Sequence, residues 1–201
     1  WGDTDAVVVN RGSIDAETDA AYAYAFGVLN LTRQRYGSAS FTNDGDIHAT
    51  ATGDLATATG VLNLALRYGD ATMTNTGTVE AVANGTTGGS ATGLYTYANV
   101  YDATVDNSGT VSAIATGDIA LATGIDASSA LYGATAVRNS GDVTAHAYAG
   151  SGFANAAGLV AASEKEVDVT NEASIDVVAR SADDTAFALG LDATALGTAT
   201  L

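Results

Sequence analysis

Apolar and polar residues alternate along most of this chain. Around Asn107 the small or apolar positions are Ala103, Val105, Val111, Ala113 and Ala115; around Asn43 they are Ala39, Phe41, Ile47, Ala49 and Ala51. A period of two places one set of side chains on one face of an extended backbone, so these stretches predict half-buried β-strands. The abundance of Gly, Thr, Asn and Val weighs against helix.

The alternation is organised by a longer repeat. Its anchor is Asn-x-Gly-x-(Ile/Val), read at Asn10–Ile14, Asn43–Ile47, Asn75–Val79, Asn107–Val111 and Asn139–Val143, with a degenerate sixth copy at Asn171–Ile175. Successive anchor asparagines are 33, 32, 32, 32 and 32 residues apart. A second anchor, Gly followed by an aliphatic residue, falls at Gly27, Gly60, Gly93, Gly124, Gly158 and Gly190. The offset from Asn to Gly is 17, 17, 18, 17, 19 and 19 residues, and the return to the next Asn takes 16, 15, 14, 15 and 13. Length gained in one connection is largely lost in the other. Such compensation is expected where each copy must stack on its neighbour.

Asn84-Gly85 is the one Asn-Gly pair in the chain, so tight hairpins do not join adjacent strands. The strands must then pair between copies. The expected fold is all-β: a right-handed parallel β-helix (β-solenoid) of about six coils of 32–33 residues, with three short strands per coil. One strand precedes and includes the Asn, one begins at the Ile/Val, and one surrounds the Gly-aliphatic anchor. At a strand spacing of about 4.8 Å, six coils make a rod roughly 30 Å long. Two coils of about 16 residues per repeat is the alternative, disfavoured because the half-repeats resemble each other only weakly. Residues 1–201 read as a single solenoid domain, with Val8, Phe41, Met73, Val105, Val137 and Val169 as one inner ladder. Ile14, Ile47, Val79, Val111, Val143 and Ile175 form another. Asn10, Asn43, Asn75, Asn107, Asn139 and Asn171 are expected to face inward at a bend, where each amide can bond the next coil's amide and free turn groups.

Composition narrows the function classes. The chain of 201 residues has 23 acidic and 7 basic side chains, a formal net charge of −16, and neither Cys nor Pro. Nucleic acid and anionic membrane surfaces are unfavourable partners for such a surface. Without Cys there are no disulfides, thiolate metal sites or cysteine nucleophiles. No stretch approaches the ~18 apolar residues of a membrane helix, so no membrane insertion is expected. The N-terminal Trp-Gly-Asp-Thr-Asp lacks a signal-peptide pattern.

The motif Val-x-Asn-Ser-Gly-Thr-Val-x-Ala-x-Ala-x-Gly at residues 105–117, followed by Ala-Thr-Gly-Ile-x-Ala at 122–127, resembles the β-helix repeats of bacterial autotransporter passengers and haemagglutinin-like surface proteins. The resemblance spans nearly the whole chain. It implies an extracellular or cell-surface segment of a longer array, outer-membrane-anchored through regions not in this chain and acting as an adhesin. A structural stalk or fibre subunit that stacks end to end is the alternative. Expected partners are the protein itself, by end-to-end or lateral association, or a host or matrix protein or glycan.

Catalysis is not expected. His48 and His146 fall at different repeat positions, and no Ser-His-Asp set emerges. Asp15, Glu80 and Asp176 share a position that His48, Ser112 and Thr144 interrupt. Lyases on β-helices combine carboxylates with basic residues, which are sparse here. No cofactor or metal site is expected beyond weak Ca2+ binding at single acidic turns. A flat threonine face is also missing: the relevant position reads Glu17, Thr50, Val82, Ile114, His146, Val178.

Aromatic residues are the most suggestive surface feature. Tyr36, Tyr68, Tyr101 and Tyr132 recur in four of the coils, expected just before the third strand, and Tyr22, Tyr24, Tyr95 and Tyr97 lie on the Gly-anchor side. Such a column can pack ring on ring or form a contact strip for glycan or protein. Arg33, Arg35 and Arg67 lie beside its first two rings as a local basic patch. The outward apolar run Val82, Ile114 and Val178 is a second candidate interface. The connections Asn84–Ser90 and Gly150–Asn155 are expected to be long, either covering this face or projecting as flexible loops.

Overall fold

A computed structural model describes residues 4–201; Trp1, Gly2 and Asp3, the start of the N-terminal stretch read for a signal pattern, lie outside it. The described residues form a parallel β-solenoid without helix. The first coil is β1 (Ala6–Asn10), β2 (Ser13–Asp19) and β3 (Tyr22–Thr32); the second is β4 (Ala39–Asn43) and β5 (Asp46–Ala65). The third is β6 (Ala71–Asn75) and β7 (Thr78–Ala98); the fourth is β8 (Ala103–Asn107), β9 (Thr110–Gly117) and β10 (Ile119–Ser129). The fifth is β11 (Thr135–Asn139), β12 (Val143–Ala149) and β13 (Ala154–Ser163). The sixth is β14 (Glu166–Asn171), β15 (Ile175–Ser181) and β16 (Ala186–Ala195), after which β17 (Thr198–Thr200) pairs with β14.

Every strand pairs with its equivalent in the next coil. Asn10 lies over Asn43, Asn43 over Asn75, Asn75 over Asn107, and so on to Asn171, each step one repeat long. One repeat therefore makes one coil, and the two-coil alternative is excluded. The Asn strands build one sheet of seven, and all the other strands build a second.

Three strands per coil hold in coils one, four, five and six. In coils two and three the second and third strands run together as β5 and β7, with a register irregularity between Gly53 and Leu55. The expected loop Asn84–Ser90 is consequently strand. Thr86 and Thr87 donate from their hydroxyls to the side chain and carbonyl of Asp54, at 3.0 and 2.8 Å, and so keep the segment on its neighbour. The Gly150–Asn155 connection is also held down, by Ser151 Oγ donating to Asp118 Oδ1 at 3.0 Å and Gly152 N to Asp118 O at 2.8 Å.

The core has two parts. One lobe is almost purely alanine: Ala49, Ala51, Ala81, Ala83, Ala113 and Ala115 on the second strand face Ala56, Ala58, Ala91, Ala120 and Ala122 on the third. Small side chains let the two segments approach closely, which flattens this end of the coil. The other part holds the two predicted ladders and a third, Val28, Val61, Leu94, Ile125, Leu159 and Leu191. Each fully buried aliphatic side chain is worth about 1.5–3 kcal/mol relative to exposure. Strand three bends at its Gly anchor, where outward positions shift phase: Phe26 and Leu29 are both exposed, with Val28 buried between. Glycine is required there. A Cβ on Gly60, Gly93 or Gly124 would overlap the Val79, Val111 or Val143 side chain of the next coil and the following Gly carbonyl.

Candidate functional site

The tyrosine column lies at the corner where one coil passes to the next. It follows the third strand and precedes the Asn strand of the following coil, which corrects the placement read from sequence: Tyr36 comes after β3 and just before β4. The register of the repeat alone does not reveal where the Gly strand ends, because its last residues alternate like those of the next strand.

Tyr68 N donates to Arg35 O at 2.9 Å and Tyr132 N to Val100 O at 3.2 Å, the parallel pattern that aligns the tyrosine positions of successive coils. Ring centroids of Tyr36 and Tyr68 are 5.7 Å apart, tilted by 39°; those of Tyr68 and Tyr101 are 6.4 Å apart, tilted by 59°. These are tilted packing contacts, yet the rings remain 42–48% exposed, and Tyr132 is 74% exposed. The column both packs and faces solvent. Beside it, Asp70 Oδ1 accepts from Asp102 N at 3.1 Å and Asp102 Oδ1 from Ala134 N at 2.8 Å. Those carboxylates tie the corner turns together between coils.

Arg33, Arg35 and Arg67 are exposed at the first two rings, and the Arg35 guanidinium lies 5.3 Å from the Tyr36 ring centroid. On the other side of the corner the third strand's outer face carries Leu29, Leu31, Leu62, Leu64, Tyr95 and Tyr97. These occupy equivalent positions in coils one to three. Tyr97 also walls a hollow of about 270 Å3, shared with Ser128, Ser129, Ser163, Glu164 and Thr194. Burial pushes the Asp126 carboxyl, next in register to Tyr95, up to about 6. Burial raises the Tyr95 phenol as well, reinforced by the Asp126 charge.

Elsewhere the surface is more dispersed. Val82, Ile114 and Val178 lie half-buried on the outer face of the second strand, in register with Thr50 and His146. On that face His146 Nε2 is 3.0 Å from Asp176 Oδ2, and His146 Nδ1 is 3.2 Å from Tyr148 Oη. The Arg180 guanidinium stands 5.9 Å from the Tyr148 ring centroid. This cluster spans two coils and three repeat positions, so the aligned repeats did not reveal it. His48 Nδ1 is 3.1 Å from Glu80 Oε2 on the same face, separate from His146. The Asn sheet has a depression of about 280 Å3 around the Arg138–Asp106 ion pair at 3.6 Å. Among the described residues, no three His, Asp or Glu side chains gather in a metal-binding group.

The anchor asparagines form a continuous ladder. Nδ2 of Asn10, Asn43, Asn75, Asn107 and Asn139 donates to Oδ1 of the next Asn at 2.8, 2.8, 2.7, 2.6 and 2.7 Å. The same Nδ2 donates to the carbonyl two residues on, as at Asn107 to Gly109 O, 3.1 Å. These amides are occupied inside the coil. Asn30 and Asn63 form a second, shorter ladder at 2.9 Å. It went unseen because coil three continues it with Thr96 and coil four with Ala127.

Compared with protein-family models, curated proteins and solved structures, the chain matches none of them.

Proposed function

We propose that this chain is a non-enzymatic, adhesin-type segment of a bacterial surface or secreted protein, of the autotransporter-passenger kind. It binds through the lateral corner strip of Tyr36, Tyr68, Tyr101 and Tyr132. The observation that carries the reading is the exposure of four tyrosines at one corner of four consecutive coils, the first three of them packed ring on ring. A phenol ring offers a large rigid contact area with a polar tip, and side chains of this kind are enriched in recognition surfaces. A rod presenting one strip of them suits repeated weak contacts with an extended partner, such as a matrix protein or glycan. The repeat's resemblance to surface-protein β-helices supports an extracellular setting.

A structural stalk is the second reading. It is favoured by the internal order: the Asn ladder runs unbroken while most outward positions change from coil to coil. A stalk needs that inner regularity alone.

Attachment of the purified chain to immobilised matrix proteins and glycans, beside a Tyr68→Ser/Tyr101→Ser variant, separates the two. Saturable attachment lost in the variant supports adhesion. Absent attachment, with uniform filaments one coil-stack wide in electron micrographs, supports the stalk.

A further inference from the structure

We infer that the first two coils make the tyrosine strip a site for an acidic glycan. Arg33, Arg35 and Arg67 take a sugar carboxylate, and the rings and hollow farther along the corner take the sugars that follow. The inference rests on the lateral-binding reading and names the ligand class for that same strip.

Charge placement is the first argument. Seven cationic side chains serve a chain with 23 acidic ones, and three of the seven sit at this corner. Arg35 and Arg67 occupy the same position in adjacent coils, as the Tyr68 N to Arg35 O bond requires. Their backbones are therefore one strand spacing apart, about 4.8 Å. Like charges placed directly opposite one another destabilise a sheet. Among the described residues none of the three arginines is within ion-pair distance of a carboxylate, whereas Arg11 and Arg138 pair with Asp44 and Asp106 at 3.7 and 3.6 Å. Asp5 and Asp70 share this corner, but their carboxylates accept from Ser38 N and Asp102 N and form no ion pair with the arginines, so the stacked guanidiniums remain open to an external anion. The planar guanidinium fork matches a carboxylate's two oxygens.

The rest of the corner selects the kind of anion. The position held by Arg35 and Arg67 becomes Val100 and then Leu131, and Asp102 and Glu164 line the corner beyond. A polymer with a charge on every unit, nucleic acid included, would run from the arginines over carboxylates. A glycan with a carboxylated sugar followed by neutral ones meets each zone with matching chemistry. Ring spacings of 5.7 and 6.4 Å are close to the advance of one sugar along an extended chain. Past Tyr101, the hollow lined by Tyr97, Ser128, Ala130, Glu164 and Thr194 offers an aromatic wall and the acceptor oxygens of Glu164 to the hydroxyls of neutral sugar rings.

Calorimetric titration of the intact chain with oligosaccharides that carry one terminal uronic acid followed by neutral hexoses, and with neutral oligosaccharides of equal length, tests this. The acidic ligand is expected to bind more tightly and to weaken as salt rises. Arg33→Gln/Arg35→Gln/Arg67→Gln should weaken acidic-glycan binding by about tenfold or more and leave neutral-glycan binding unchanged. Tyr68→Ala/Tyr101→Ala should weaken both. Circular dichroism melts verify that each variant remains folded. Equal affinity for the two glycans, or an arginine variant that binds the acidic one as well as wild type, overturns the inference and leaves lateral tyrosine binding standing. Tighter binding of poly-glutamate than of the acidic oligosaccharide overturns it in favour of an acidic protein partner. Binding of neither sugar also overturns it, and the lateral reading then depends on the attachment assay with Tyr68→Ser/Tyr101→Ser.

Discussion

Asn107 receives a hydrogen bond from Asn75 Nδ2 at 2.7 Å and passes one to Asn139 Oδ1 at 2.6 Å, while its Nδ2 also holds Gly109 O at 3.1 Å. Asn107 is 3% exposed, so water cannot replace these partners. Substituting Ala removes three bonds and leaves the Asn139 acceptor without its donor. Asn107→Ala should cost about 2–4 kcal/mol, measured by urea denaturation. Asn171→Ala, at an exposed position, should cost less than half as much.

The Gly anchors should be intolerant of a single methyl group where a coil lies beyond them. A Cβ on Gly124 overlaps Val143 and the Gly158 carbonyl, while one on Gly190 meets nothing within 4 Å. Gly124→Ala is expected to lose about 1–3 kcal/mol through overpacking, and Gly190→Ala to stay near neutral. Thermal melts of the two variants check this.

Both features were legible because a stacked coil repeats its interior. An inward residue meets its own equivalent above and below, so the Asn, Val/Ile and Gly positions recur at 32 or 33 residues. Sequence periodicity thereby reports contact. Relations across the coil are different. That the Ala49 and Ala56 segments face one another follows from the bend and the connection, which no repeat position records. Continuity through Asn84–Ser90 escaped for the same reason: Gly and Thr suggest a loop, and bonds to Asp54 hold a strand. On the surface, the tyrosine column was visible in sequence but assigned to the wrong strand boundary. The His146–Tyr148–Asp176 cluster needed coordinates, since it is diagonal across two coils.

Asp126 should make stability pH-dependent. Its carboxyl is raised from 3.8 to about 6 by burial, so the folded chain binds its proton more tightly than the unfolded one. Stability contributed by this group is then greatest below about pH 4, falls as pH rises toward 6, and levels off above. Asp126→Asn should stabilise the protein at neutral pH by roughly 1–2 kcal/mol and make no difference below pH 4. Denaturant midpoints at the two pH values give the comparison.

Leu131 precedes Tyr132 with φ of 63° and is 45% exposed. A left-handed backbone costs a branched side chain about 1–2 kcal/mol, and glycine escapes that cost. Leu131→Gly should therefore raise the melting temperature, whereas Ala130→Gly, at a neighbouring position without positive φ, should lower it.

The most direct measurement for the lateral strip is amide chemical-shift mapping on the intact chain during titration with the uronic-acid oligosaccharide. Saturable shifts should line up along Arg35, Tyr68, Tyr101 and Tyr132, crossing four successive coils at one corner. Shifts confined to the strands of the first and sixth coils, or spread over the outer face around Ile114 and His146, would contradict a corner binding strip.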